Sequence, residues 1–181
     1  MVKFKIDKNV NIIYNTINVM LIMDNYNKGL FILSGNLKEE TMSRTPKKYI
    51  NTPFFHIMVQ GINKEPIFET SIEAEEYLKL IKQTKEEFDL QILSYCMMYN
   101  HAHFLIYVEN DEELTKFMHK ANLKYAKYYN KKNERVGYVF RDRYKAQPIM
   151  SRAHLLKCIE YIHNNPVKAH ICNKPENYKY S

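Results

Sequence analysis

The sequence predicts an α+β protein, a ferredoxin-like βαββαβ sandwich with an antiparallel sheet and an additional C-terminal helix. Three observations carry this expectation. Short β-favouring apolar runs occur at 54–61, 90–99 and 103–109. Helically spaced apolar residues follow the first and third of these runs. The resulting order is strand, helix, two strands, helix, strand and a last helix, which suits a layer of crossover helices over one antiparallel sheet.

From Phe54, the stretch FFHIMVQG favours β structure and closes on Gly61, giving a first strand and a turn. Ser71 then reads as an N-cap with Ala74 at N3. Ile72, Tyr77, Leu78, Ile81 and Phe88 fall near helical spacing up to about residue 88. The runs LQILSYCMMY and HFLIYVE flank Asn100, as two antiparallel strands joined near that point or one long strand with a break. Asn110-Asp111 offers the next cap. Beyond it Leu114, Phe117, Met118, Ala121, Tyr125 and Tyr128 fall within an arc of roughly 100° at 3.6 residues per turn, which predicts a helix from 114 to 128. After the polar turn KKNERVG comes YVFRDRYKAQPIM, strand-like with a loop inside it, and then Ser151 caps a helix running toward Pro166.

With 181 residues, 45% hydrophobic and 26% charged, the chain is long enough for one domain with a core. Lys+Arg of 27 against Asp+Glu of 20 gives +7 and a pI near 9.1, so an acidic partner such as nucleic acid fits the charge. Cys96, Cys158 and Cys172 are odd in number and contain no CxxC, which suggests neither a disulfide framework nor a zinc finger and makes a cytoplasmic location the natural one. NVMLIM at 18–23 is too short to span a bilayer and is followed at once by Asp24-Asn25, so no membrane role follows.

The chemistry-bearing feature is His101-Ala102-His103 at the head of an apolar run. Residues two apart in a strand project from one face, so both imidazoles could meet one ion. The plain alternative is a pair of strand histidines hydrogen-bonded on a half-exposed face. On the last helix, Tyr161 and Asn165 are four apart and share a face, so a phenol and an amide oxygen could approach the same ion or phosphate. With 15 tyrosines in the chain, a core or boundary role for Tyr161 stays open.

NHAHFLI, GYVFRDRYKA and YIHNNPVKA, with FHIMVQGINKEPIF at 55–68 ahead of them, resemble in order and spacing the single-tyrosine HUH transposases, in particular the REP-associated tyrosine transposase branch. The resemblance spans about residues 44 to 178. It implies a ferredoxin-like nuclease domain that cuts single-stranded DNA beside a hairpin, with a tyrosine nucleophile and a divalent metal. The family's histidine pair falls on His101 and His103, the nucleophile on Tyr161 and a third, amide ligand on Asn165. The implied cofactor is Mg²⁺ or Mn²⁺, although two imidazoles also suit Zn²⁺. The implied partner is single-stranded DNA with hairpin ends, and family members act as monomers or homodimers. Two departures stand out: Tyr99 occupies the usual place of a proline before Asn-His, and His170 that of a glycine after NPVKA.

Such a site would polarise a non-bridging phosphate oxygen while Tyr161 attacks, keeping the 5′ end as a phosphotyrosine. Lys157, one turn before Tyr161, is a candidate base. Lys116, Lys120, Lys124, Lys127 and Lys131 occupy an arc of roughly 80° beside the apolar face of their helix and fit a DNA backbone, as do Lys47, Lys48, Arg141, Arg143 and Lys145. A solvated lysine face is the plain alternative. The competing functional reading is a ferredoxin-like module that binds single-stranded nucleic acid by aromatic stacking without cutting it. A small zinc hydrolase ranks below both, for want of a third histidine or carboxylate at metal spacing.

Residues 42–181 are expected to form the catalytic domain. Residues 1–41 are either an N-terminal extension or a mis-assigned leader, because Lys38-Glu39-Glu40-Thr41 can be encoded by codons containing a ribosome-binding AAGGAGG just upstream of Met42. The alternative is a genuine extension, a hairpin of NIIYNTINVMLIM and GLFILSG packed on the domain.

Overall fold

A computed structural model describes residues 52–181, so the expectations about residues 1–41 and about Lys47 and Lys48 lie outside the described residues. Strands β1 (Phe54–Gln60), β2 (Gln91–Met98), β3 (His101–Tyr107) and β4 (Lys145–Pro148) alternate with helices α1 (Ser71–Lys85) and α2 (Asp111–Lys132), and α3 (Arg152–Lys168) follows. The sheet has the order β2-β3-β1-β4, and its three pairings are all antiparallel. This is the expected βαββαβ sandwich with its additional helix.

Strand alternation assigns the two faces of the sheet. Phe55, Ile57 and Val59 of β1 with Ala102, Phe104 and Ile106 of β3 pack beneath α1 and α2, against Tyr77, Ile81, Leu114, Phe117, Met118 and Tyr125. The other face meets α3, where Leu155, Cys158, Ile159 and Ile162 bury Phe54, Cys96, Met98, Leu105 and Ile149 in a second core. The sheet is therefore covered on both sides, and α3 lies opposite α2.

Some boundaries differ from the expectations, and the helix expected at 114–128 spans Asp111–Lys132. Thr70, not Ser71, caps α1: the chain at Thr70 is extended, and Glu73 at N3 completes a capping box by accepting from the Thr70 amide at 2.6 Å. Both residues are good cap formers, and the carboxylate three positions on decides between them. The helix ends at Lys85 rather than near 88, while Phe88 beyond it packs against Phe117 at a ring separation of 5.9 Å. The stretch 138–150 contributes only the four-residue β4 and one isolated bridge, Gly61 to Phe140. In α2 the expected cap holds, with Asn110 accepting from the Glu112 amide at 2.9 Å. Tyr129 joins the buried stripe because its hydroxyl donates to the Pro66 carbonyl at 2.8 Å.

The turn after β1 needs its glycine. A Cβ on Gly61 would sit 2.3 Å from the Glu65 carbonyl oxygen and 2.9 Å from Ile67 Cγ2. Helix α3 continues through Pro166 to Lys168. The turn beyond it places His170 at φ 55, with the His170 amide donating to the Val167 carbonyl and the Ile171 amide to the Pro166 carbonyl at 3.0 and 2.9 Å. The chain then returns along the outer side of β2. There the Met97 amide donates to the Tyr180 carbonyl at 2.9 Å and the Tyr178 hydroxyl to the Met97 carbonyl at 2.6 Å. All three cysteines are free. Among the described residues no helix is long and apolar enough to cross a membrane.

Candidate active site

His101 and His103 stand on the α3 side of β3, with ring centroids 5.0 Å apart at 87°. His101 Nδ1 lies 2.7 Å from the Asn100 amide oxygen. That oxygen only accepts, so the ring proton sits on Nδ1 and Nε2 carries the lone pair. His103 is 2% exposed, and its Nδ1 lies 2.9 Å from Nε2 of His56 on the neighbouring strand. Burial lowers the pKa of His101. Burial, with His101 and His56 alongside, takes His103 down to about 3. Burial and then His154 lower His56 as well. All three rings are neutral at physiological pH, which is the state a metal ligand requires.

Helix α3 brings Tyr161 over this cluster. Its ring is 5.4 Å from that of His103 and 5.7 Å from that of His56, edge to face. The docking of Leu155, Ile159 and Ile162 on the sheet leaves the adjacent face of the helix, with Tyr161, at the rim of an open cavity of about 560 Å³. His56, His103, Gln147, His154 and Lys157 share its lining. Tyr161 is 41% exposed, so a strand of polymer can reach its hydroxyl. Lys168 Nζ lies 5.0 Å from the Tyr161 ring centroid, which places a cation beside the ring.

Asn165 shares the Tyr161 helix face, but its Nδ2 donates to the Tyr161 carbonyl at 2.8 Å and to the Ile162 carbonyl at 3.3 Å. The second acceptor is free because Pro166, four residues after Ile162, has no N–H to give it. With its nitrogen committed to the helix, Asn165 keeps Oδ1 as its remaining acceptor. Asn164, not Asn165, lines the cavity. Among the described residues no group of three His, Cys, Asp or Glu side chains converges to hold a metal ion. The donor set still fits a divalent ion in kind: two neutral imidazoles, with an amide oxygen and substrate oxygens to complete the shell.

The basic residues named from sequence do not form one surface. Lys120 pairs with Glu87, and Lys124 reaches Glu87 at 3.5 Å and Thr84 Oγ1 at 3.1 Å, so both bridge α2 to the end of α1. Lys116 has an exposed pair with Glu112 at 3.5 Å. Lys116 and Lys127 also line a separate cleft of about 770 Å³ between α2 and the 137–144 segment, together with Arg141, Arg143 and Tyr138. Lys131 and Lys145 are exposed. Because α2 and α3 cover opposite faces of the sheet, none of the α2 lysines lines the Tyr161 cavity. His56 was missed from sequence. Its signal was the alternation of β1, which puts His56 and Met58 on the face opposite Phe55, Ile57 and Val59.

Comparison with known proteins agrees with this architecture. Among solved structures, a REP-associated tyrosine transposase bound to a REP hairpin superposes with a TM-score of 0.62 at 14% identity, covering 77% of this chain and 81% of that one. A transposase-like protein from Deinococcus radiodurans R1 gives a TM-score of 0.47 at 12% identity, over 67% of this chain and 97% of that one. No curated protein matches. The family model described as "Transposase IS200 like" matches residues 49–165, from just before β1 to Asn165 in α3. A match over well more than half of the sequence, on a fold with this strand order, places the chain in the IS200-like transposase family.

Proposed function

We propose that the protein is a metal-dependent single-stranded DNA endonuclease and strand transferase, with Tyr161 as its nucleophile and His101, His103 and Asn165 as ligands of Mg²⁺ or Mn²⁺. The observation that carries the proposal is the approach of Tyr161, from a helix across the sheet, to within 5.4 Å ring to ring of a buried neutral histidine, at a cavity open to solvent. A structural tyrosine would bury its ring in the second core instead of holding it at that rim. Membership of a transposase family and the hairpin bound to the solved structural neighbour support hairpin-ended single-stranded DNA as substrate.

The bound ion would supply Lewis-acid polarisation of a non-bridging phosphate oxygen. The remaining roles belong to the chain. Tyr161 Oη attacks phosphorus in line, forming the P–O bond of a 5′-phosphotyrosine as the bond to the 3′ oxygen breaks. One proton leaves the phenol and the departing 3′ oxygen takes one up, so the step is balanced and the bond energy is kept for rejoining. Lys168 and Lys157 offer positive charge beside the phosphate path. Incubation with labelled single-stranded hairpin DNA and Mn²⁺, followed by a denaturing gel, tests the reading. A covalent adduct is expected with the wild type and none with Tyr161→Phe, which should bind DNA and keep its stability within about 0.5 kcal/mol. Binding without any adduct would favour a non-cleaving binding module, and an adduct that persists in Tyr161→Phe would move the nucleophile elsewhere.

A further inference from the structure

His56 lies at the centre of the site, yet the chemistry above gives it nothing to do. It projects from β1 on the face that carries His103, and in the β1–β3 register it stands opposite Leu105, two residues from His103. Its ring therefore reaches diagonally across the ladder. The two imidazoles stack with centroids 5.0 Å apart and 24° between planes, and His56 Nε2 meets His103 Nδ1 at 2.9 Å. A hydrogen bond between two ring nitrogens holds a single proton between them, and the nitrogen that owns it decides what the rest of His103 can do.

Two arrangements are open. If His56 Nε2 donates, His103 Nδ1 is the acceptor, its proton is on Nε2, and the histidine turns an N–H toward any ion. If His103 Nδ1 donates, its Nε2 is a lone pair. Only the second arrangement can ligate through Nε2, and it needs a buried acceptor at Nδ1, because an N–H left unpartnered at a residue this enclosed is costly. His56 Nε2 is the acceptor within reach. Asn100 does the same for His101 with an amide oxygen, so both histidines present Nε2 once their Nδ1 protons are held.

We infer that His56 is a positioning residue that holds His103 in its Nδ1–H tautomer and so directs the His103 Nε2 lone pair toward the divalent ion. The inference rests on the reading of His101 and His103 as metal ligands, in which a second-layer hydrogen bond fixes ring orientation and donor strength.

The test uses metal-free protein first. Long-range ¹H–¹⁵N correlation of the imidazoles at neutral pH reads the His103 tautomer directly. The Nδ1–H form is expected in the wild type and in His56→Gln, whose side-chain oxygen replaces the Nε2 acceptor, whereas His56→Met should lose that preference. Titration with Mn²⁺ should then show roughly 10–100-fold weaker binding by His56→Met and near-wild-type binding by His56→Gln. Rescue by glutamine separates the hydrogen bond from packing, since methionine fills similar space without accepting. A wild-type His103 found in the Nε2–H form, or His56→Met binding Mn²⁺ as tightly as the wild type, overturns the inference. If His103→Ala also binds Mn²⁺ like the wild type, the metal reading itself has failed, and the tautomer spectrum of the wild type still decides whether His56 accepts from His103.

Discussion

Tyr161 owes its position to its neighbour Ile162, which is fully buried in the core between α3 and the sheet. Ile162→Ala removes three carbons, and at about 0.8 kcal/mol each the transfer loss is about 2.4 kcal/mol. The cavity left among Leu155, Ile159, Leu105 and Met98 adds to it, for a total of about 3 kcal/mol. Urea unfolding followed by circular dichroism measures that loss. A second consequence follows from location: α3 seats more loosely and Tyr161 strays from His103, so adduct formation slows even where the variant is fully folded. Leu114→Ala, buried to the same degree beneath α2 on the opposite face, is the control. It should cost a similar amount and leave the rate of adduct formation unchanged below its melting transition. A loss below about 1 kcal/mol for Ile162→Ala, or equal slowing by Leu114→Ala, would refute the reasoning that the second core aims the proposed nucleophile.

Other outcomes follow from the same geometry. Gln at Lys127, exposed at the cleft beside Arg141 and Arg143, should reduce the magnitude of the salt slope of single-stranded DNA binding by roughly 0.7 per lost phosphate contact; Gln at Lys120 and Lys124, already engaged by Glu87 and Thr84, should change it less, and equal effects would remove the distinction. His170→Gly relieves a side chain at φ 55 and should raise stability by about 0.5–1 kcal/mol, seen as a higher Tm; a fall would show that the imidazole contributes contacts of its own. For Glu73, burial opposes ionisation, but hydrogen bonds from Lys132 and Thr70 outweigh it and lower the carboxyl pKa from its ordinary 4.5. Its stabilisation is therefore present above that value and lost as pH falls through the depressed one. Glu73→Gln should lack this part of the acid-limb slope, and identical acid limbs would argue against the capping role.

The elements with strong periodicity were legible in the sequence because one physical cause dominates each. β1 and β3 are runs of β-favouring residues bounded by turn signals, and α2 carries a stripe that any helix must bury. The α1 cap was displaced by one residue because Thr70 and Ser71 are equally good caps until Glu73 is counted. The 138–150 stretch has β-favouring residues, but only 145–148 find a partner strand; strand formation depends on an available edge, which composition does not report. In the site, His-x-His spacing foretold the shared face, while the conjunction with Tyr161 required α3 to cross the sheet. His56 was hidden in an apolar run where one histidine reads as filler. Lys120 and Lys124 looked available because Glu87 is far away in sequence. The amide nitrogen of Asn165 turns onto its own helix, toward the Tyr161 carbonyl and the Ile162 carbonyl that the following proline leaves open.

The return of the chain along β2 bears on assembly. β2 is an outermost strand of the sheet, and such a strand ordinarily offers its outward amides and carbonyls to a strand from another molecule. At Met97 both groups are already engaged, the amide by the Tyr180 carbonyl and the carbonyl by the Tyr178 hydroxyl. A second copy could not zip along the whole of β2 without first displacing those residues. The opposite margin is β4, only four residues long, too short to template an extended ribbon. Among the described residues, continuous sheet growth is thus discouraged at both ends, which leaves the helix surfaces as the more accessible ground for a pair of these molecules to meet.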